Sequence, residues 1–454
     1  MPAPYTPVYL PLNTFKTIKP NNISEVFSYY NRIEVYFYLI VGISKIMAGE
    51  YFCIRNRKGK NRLKMKRTLL FLSLCAIYSL SFAQPAGTNN QYDNSAQRLL
   101  NNNEKLSIGG YAEVHYNQPI GNSTKKNATL DVHRVVMLFG YQFNERTKFV
   151  SEIEYEHVSE VYIEQAFLQY KLNNSINLRA GLLLAPMGII NEYHEPNTFN
   201  GVERPLIDKY IAPTTWREIG IGFSGTYLPA KMRYQAYLMN GFNGYDGTGN
   251  FSGKNGLRKG RQKGAESYMS SPNLAIKVEY FGIKNLNVGL SGYFGKSQST
   301  LYDAGIEDAI ADSSVVNIAM VGADFRYSNK GFMAKGQFYY NSLSNTDEYN
   351  TYASSDLGKS MLGYYAEIGY NIFNLCSNTK SELIPFVRYE KYDTQNTMAK
   401  GFSRNGSNAA TVVTSGLTWK ITPKVAFKTD VQFITKDSDS RAHATFNGGF
   451  GLMF

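Results

Sequence analysis

Ala444-Thr445-Phe446-Asn447-Gly448-Gly449-Phe450-Gly451-Leu452-Met453-Phe454 is the stretch on which the fold turns. Ala444, Phe446, Phe450, Leu452 and Phe454 share one parity; Thr445, Asn447, Gly449 and Gly451 share the other, with Met453 the exception. Successive side chains of a strand point to opposite faces, so one face is bulky and apolar and the other small and polar. Such a strand is expected to be one stave of a closed barrel, with lipid outside and water inside.

Working back from it, the same alternation predicts sixteen strands between Leu106 and Phe454. Every second connection is short, as in Asn144-Glu145-Arg146, Asn173-Asn174, Pro229-Ala230 and Asn329-Lys330. The alternate connections are mostly long, among them Ala185–Trp216, Gly241–Pro272, Ser297–Ser313 and Thr435–Ala442, with Ser159-Glu160 breaking the series. Short turns at one end and long loops at the other are the pattern of a transmembrane barrel, and a soluble sandwich has no reason to sort its loops by parity. The expected fold is therefore all-β, an antiparallel transmembrane barrel of about sixteen strands.

The chain ahead of the barrel reads differently. Met65-Lys66-Arg67, an apolar run from Leu69 to Leu80, then Ser81-Phe82-Ala83 follow the order of a secretory signal peptide. Residues 65–83 are accordingly expected to be a signal peptide, 84–105 a polar leader and 106–454 the barrel. Residues 1–64 read as an upstream artefact of start-site choice, with a genuine extension as the competing reading. Twelve of the 48 Lys+Arg and three of the 36 Asp+Glu precede Gln84, which leaves 36 bases against 33 acids. The apparent basicity thus sits ahead of the barrel, and no nucleic-acid partner is called for. Cys376 alone follows Gln84, so the exported part has no intrachain disulfide.

Parity also assigns the faces. Val425, Phe427, Val431 and Phe433 are expected toward lipid, with Lys424, Lys428, Asp430 and Gln432 toward the lumen. A charge on the lipid face at mid-membrane costs about 2–4 kcal/mol, so charged rows line water. The acids so placed are Glu152, Glu154, Glu156 and Glu390. The bases are Arg134, Arg179, Lys231, Arg233, Lys277, Arg326, Lys335 and Arg388.

The 32-residue connection Ala185–Trp216 is too long to be idle. It carries apolar residues and prolines, and it offers Glu192, His194, Glu195, Glu203, Arg204, Asp208 and Lys209. Folded into the lumen after the fifth strand, it would narrow the bore. The segment Ala180-Gly181-Leu182-Leu183-Leu184-Ala185-Pro186-Met187-Gly188, followed by the run from Glu192 to Pro205, resembles the phosphate-selective porin O and P family. The resemblance implies a sixteen-stranded barrel, an inward third external loop, trimeric assembly and passive solute diffusion. It also implies that Phe454 is the terminal aromatic read by the barrel-assembly machinery. Phosphate-preferring members present lysines at the constriction, whereas acids outnumber bases in this loop. Facing the lumen bases, those acids would set up a transverse field rather than a plain anion filter.

Other motifs carry less. Gly220-Ile221-Gly222-Phe223-Ser224-Gly225 fits a dinucleotide fingerprint by letter but falls within alternation rather than before a helix. Lys254, Arg258, Lys259, Arg261 and Lys263 crowd the loop Gly241–Pro272, whose Gly and Asn favour a solvated, mobile segment. His194 beside Glu192 and Glu195 is the nearest approach to a catalytic nucleus. The expectation is an outer-membrane porin of a Gram-negative bacterium, without catalytic residues, cofactor or metal. It would pass small hydrophilic solutes or inorganic ions, with anions or phosphate suggested by the resemblance. Its further partners would be outer-membrane lipid and lipopolysaccharide. The alternatives are a barrel enzyme and a plugged structural or adhesive barrel.

Overall fold

The computed structural model describes residues 94–121, 126–375 and 379–454. The signal-peptide reading, residues 1–64 and Cys376 lie outside the described residues. Sixteen antiparallel strands close into one barrel. They are β1 (Leu106–Ile120), β2 (Thr129–Gln142), β3 (Thr147–Glu156), β4 (Glu160–Lys171), β5 (Asn177–Leu184), β6 (Arg217–Tyr227), β7 (Met232–Met239) and β8 (Asn273–Ile283). Then follow β9 (Leu286–Lys296), β10 (Asn317–Asn329), β11 (Phe332–Ser344), β12 (Ser360–Tyr370), β13 (Glu382–Thr397), β14 (Ala409–Thr422), β15 (Val425–Lys436) and β16 (Asp439–Met453). Each strand pairs with its neighbour in sequence, and β16 closes on β1 from Tyr111 opposite Met453 to Ile120 opposite Ala444. Phe454 finishes the seam, donating its N–H to the Gly110 carbonyl at 2.9 Å.

The wall obeys the alternation that predicts it. Leu130, Ile221, Leu290, Phe325, Phe427, Phe446 and Phe450 stand exposed on the outside, Leu130 at 75%. Glu152, Lys277, Arg388, Glu390 and Asp430, on the opposite parity of their strands, are buried on the inside. An exposed apolar belt around a closed wall is soluble only in lipid, and the closed network leaves no backbone edge to satisfy. No helix among the described residues is long and apolar enough to cross a membrane.

Two expectations change. The loop expected at Thr435–Ala442 is only a tight turn, since β15 and β16 stay paired out to Lys436 opposite Asp439. The leader contains a helix, α1 (Ser95–Asn101), capped by the Asn94 side chain accepting from the Gln97 N–H at 2.8 Å. Lys148 on β3 closes the other end of α1, donating to the Leu100 and Asn102 carbonyls at 2.7 and 2.8 Å. A cation there also suits the negative end of the helix.

Among the register shifts of the wall, two mid-strand β-bulges bear on the site. Glu152 pairs with Gln165 and Ile153 with Ile163, so Glu164 is the extra residue of β4, and both Glu164 and Gln165 turn inward. Likewise Glu113 pairs with Arg134 and Val114 with Val132, leaving His133 extra on β2.

Candidate functional site

The long loop 185–216 enters the bore and crosses it. Its neck is zipped by one side chain: Asn191 donates to the Ala185 and Trp216 carbonyls at 2.8 and 2.9 Å and accepts from the Trp216 N–H at 2.9 Å. Trp216 is itself fully buried, 4.6 Å from the rings of both Phe242 and Tyr293, with its indole N–H on Glu218 at 2.7 Å. The far part of the loop reaches the opposite wall. The Val202 N–H donates to Asp430 at 2.8 Å, the Leu206 N–H to Glu390 at 2.6 Å, and the Asn200 amide to Glu367 at 3.0 Å.

Glycine makes two of these approaches possible. Gly188 has φ +62, and a side chain there would run into Tyr339 and Gln337. At Gly451 a side chain would strike Pro196 of the loop. The small lumen face of the last strand is thus the surface on which the crossing loop lies.

The expected loop residues are all engaged, though not as a free row of charges. Glu192 takes Lys277 at 2.6 Å and the Gln235 amide. Glu195 accepts from the Ser95 N–H and hydroxyl of α1, both at 2.5 Å. Glu203 meets His115 at 3.3 Å and the Asn117 amide at 2.9 Å. Asp208 accepts from Gln337 at 2.9 Å and Tyr339 at 3.1 Å. Arg204 donates to the His194 carbonyl at 3.1 Å, while the Lys209 ammonium lies 5.5 Å from the centre of the Tyr210 ring. His194 does not join Glu192 and Glu195; it meets Glu152 and Glu164 of the wall.

The lumen bases are paired in the same way. Arg134 binds Glu113 and, at 3.4 Å, Glu154; Arg326 binds Glu279; Arg388 binds Glu390 at 3.0 Å and Glu367 at 3.3 Å. Lys335 meets Glu367 at 3.4 Å and Arg233 meets Glu279 at 3.7 Å. Arg179 donates to Gln169 at 2.9 Å and to the Tyr237 hydroxyl at 3.2 Å. Glu156 lines a small cavity of 160 Å³ with His115, Arg134 and Arg258. Lys231 is exposed in the turn between β6 and β7, with φ +54, and does not stand on the lumen wall. The transverse field expected across the constriction is accordingly reduced where these pairs form, whereas Asp208, Asp430 and Arg179 rest on neutral partners. Glu113, Glu164, Glu279 and Glu367 were missing from the expected site. Parity alone marks Glu113, which alternates with Ala112 and Val114, whereas Glu164 needs the bulge.

The densest group of like charges lies elsewhere. Where the crossing loop meets loop 240–272, Lys209, Lys254, Arg258, Lys259, Arg261 and Lys263 line a cavity of 500 Å³ with Tyr210 and Asn255. No carboxylate lines it. The two guanidiniums are fixed: Arg261 donates to the Thr215 carbonyl and hydroxyl at 3.2 and 2.6 Å, and Arg258 to the Thr214 carbonyl at 3.5 Å. Burial, with Arg258 and Arg217 alongside, brings Arg261 down to about 9. Burial and Arg258 lower Lys209 as well. Loop 240–272 is not the solvated, mobile segment expected from its Gly and Asn. Phe242, Phe251 and Leu257 bury its inner side, and the Phe251 N–H donates to the Tyr349 hydroxyl at 3.0 Å.

Below the crossing loop, at the short-turn end, the bore opens into two cavities of 280 and 270 Å³, the first walled mostly by polar groups and the second partly by Ile189, Phe199, Met333 and Met453. Helix α1 lies beside the first, with Ala96 and Leu100 in its lining.

An uncharacterized protein of Aquifex aeolicus (strain VF5) is 31% identical to this chain over 379 residues, spanning 79% of this chain and 82% of that one. No family model matches. The anion-selective porin from Comamonas acidovorans superposes with a TM-score of 0.50 at 9% identity, covering 77% of this chain and 99% of that chain. The outer membrane channel DcaP of Acinetobacter baumannii gives a TM-score of 0.49 at 12% identity, covering 77% and 97%. At such identities the likeness is one of fold. The apolar belt on a closed sixteen-stranded wall belongs in the outer membrane of a Gram-negative cell.

Proposed function

We infer, for a chain that belongs to one family with the uncharacterized protein of Aquifex aeolicus (strain VF5), a porin through which small hydrophilic solutes diffuse down their gradients. The observation that carries this reading is the crossing loop. It is braced on both walls by hydrogen bonds, and polar cavities remain above and below it. A bore that is narrowed yet lined with polar groups sieves by size and charge. We take the chain to be non-enzymatic, and its assembly to be the trimer that the phosphate-selective porin resemblance implies.

The charge preference is proposed to be anionic. The reading rests on the basic cavity at the long-loop mouth, whose six cations and lack of a lining carboxylate offer an anion a first site. Long loops of such barrels face the outside of the cell, which makes that cavity an entry vestibule. Inorganic phosphate is the anion to test first.

Helix α1 favours a second reading, a barrel kept closed by its own N-terminal segment, because Glu195 of the crossing loop binds the helix start directly. Liposome swelling separates the two. With the purified protein reconstituted, a porin admits small neutral sugars and excludes larger ones, in proportion to size. Absence of swelling with every sugar would reject the porin and leave the closed barrel.

A further inference from the structure

His194 sits where the crossing loop touches the wall, and its ring is oriented from behind. Its Nδ1 lies 3.0 Å from the Asn191 carbonyl, an interaction that places the proton on Nδ1 and turns Nε2 forward as a lone pair. Facing Nε2 are two carboxylates, Glu152 Oε1 at 3.4 Å and Glu164 Oε2 at 3.1 Å. All three side chains are at most 2% exposed. A lone pair aimed at two buried carboxylates needs a cation between them, either a proton on Nε2 or a metal ion.

The distances favour the metal. Charge-assisted N–H to carboxylate bonds run about 2.7–2.9 Å, and both contacts here are longer. Ligand atoms held about 2.1 Å from a tetrahedral ion lie about 3.4 Å apart, which is the range observed. The surrounding groups are those that orient metal ligands. The Tyr111 hydroxyl donates to Glu152 Oε1 at 2.9 Å, and the Gln165 amide to Glu152 Oε2 at 2.7 Å. Glu164 Oε1 is buried and finds no hydrogen-bond partner among the described residues. Glu164 points inward only because of the bulge in β4, a distortion that costs ladder pairing and re-aims one side chain.

We propose that Glu152, Glu164 and His194 form a site for a divalent transition metal such as Zn²⁺, clipping the crossing loop to β3 and β4. A set of one imidazole and two carboxylates suits that class of ion, and the fourth position is left for water. This proposal goes beyond the channel reading and does not depend on conduction.

The test uses the full chain, unfolded with a chelator, refolded into detergent, exposed to zinc chloride and desalted. A second cluster, Asp131, His133 and His157 at the long-loop rim, is also able to take zinc, so the assay is run on the His133→Ala/His157→Ala background. The expected result is a single tightly held zinc per chain by elemental analysis, lost in Glu164→Gln and in His194→Gln. No retained zinc in the background protein, or equal retention in Glu164→Gln, would overturn the site. If the variants fail to refold, Co²⁺ loaded on the background protein decides. Visible ligand-field bands of tetrahedral cobalt, displaced by zinc, support the site, and their absence refutes it. Conductance of the same preparation is recorded separately, so a conducting, zinc-free protein rejects the metal and leaves the porin standing.

Discussion

Lys277 shows how single residues behave in this bore. Its side chain is fully buried, and its ammonium is held by Glu192 at 2.6 Å and the Gly188 carbonyl at 2.5 Å. Removing one partner of a buried pair strands the other charge and costs about 3–5 kcal/mol. Glu279 stays 3.8 Å from the ammonium, so Glu192→Gln should lower stability by less than that, about 1–3 kcal/mol, read from urea unfolding in lipid vesicles. The double change Glu192→Leu with Lys277→Met should cost distinctly less. Equal losses would mean that packing, not stranded charge, controls the site. Parity alone places Lys277 on the lumen wall, and the loop sequence supplies Glu192, yet nothing in either stretch announces that they meet. That pairing belongs to the path of the loop across the bore. Gly188 gives a second residue-scale expectation. Gly188→Ala forces a side chain at φ +62 against Tyr339, so the loop should lift and the single-channel conductance rise. Unchanged conductance would mean that the loop tolerates the side chain in place.

At the scale of elements, strands were legible and their irregularities were not. Alternation finds all sixteen barrel strands within a few residues, because each must show one face to lipid. The bulges at Glu164 and His133 were invisible, since an extra residue mimics a parity slip. Helix α1 was hidden in a polar, Asn-rich leader, because its seven residues carry too short a pattern and depend on Lys148 and Glu195 for their caps and contacts. Deleting 94–103 should therefore widen the path beside Glu192 and increase conductance; a decrease would mean that the helix holds the loop open. The basic vestibule makes a pH prediction. Folding lowers Arg261 from its ordinary value to about 9, so its charged form is disfavoured by the fold. Below about 9 that charge carries its full cost, which then fades gradually as pH rises from 9 toward the ordinary arginine range. An anion in the vestibule relieves it. Phosphate should therefore raise the melting temperature more at pH 8 than at pH 10, and Arg258→Gln/Arg261→Gln should abolish the difference. A stabilisation equal at both pH values would place phosphate elsewhere.

The whole molecule follows from one inequality between its two faces. Outside, exposed Leu, Ile, Val and Phe form a belt that water would not tolerate; inside, many of the charges are paired across neighbouring strands or with the loop that crosses between them. The outer face was readable from the last eleven residues. The inner one was readable only as a list of charged positions, since its pairing depends on curvature and closure that a linear pattern does not encode. Closure also explains why the small residues Gly449 and Gly451 oppose Phe450: they leave room for Val202 and Pro196 of the crossing loop. The central claim is a water-filled path past that loop with an anionic preference. Single-channel recording in a planar bilayer under a salt gradient tests it most directly. Discrete current steps with a reversal potential on the anion side are predicted, moving toward the cation side in Arg258→Gln/Arg261→Gln. Folded, inserted barrels that pass no current, or that prefer cations before and after the substitution, would contradict it.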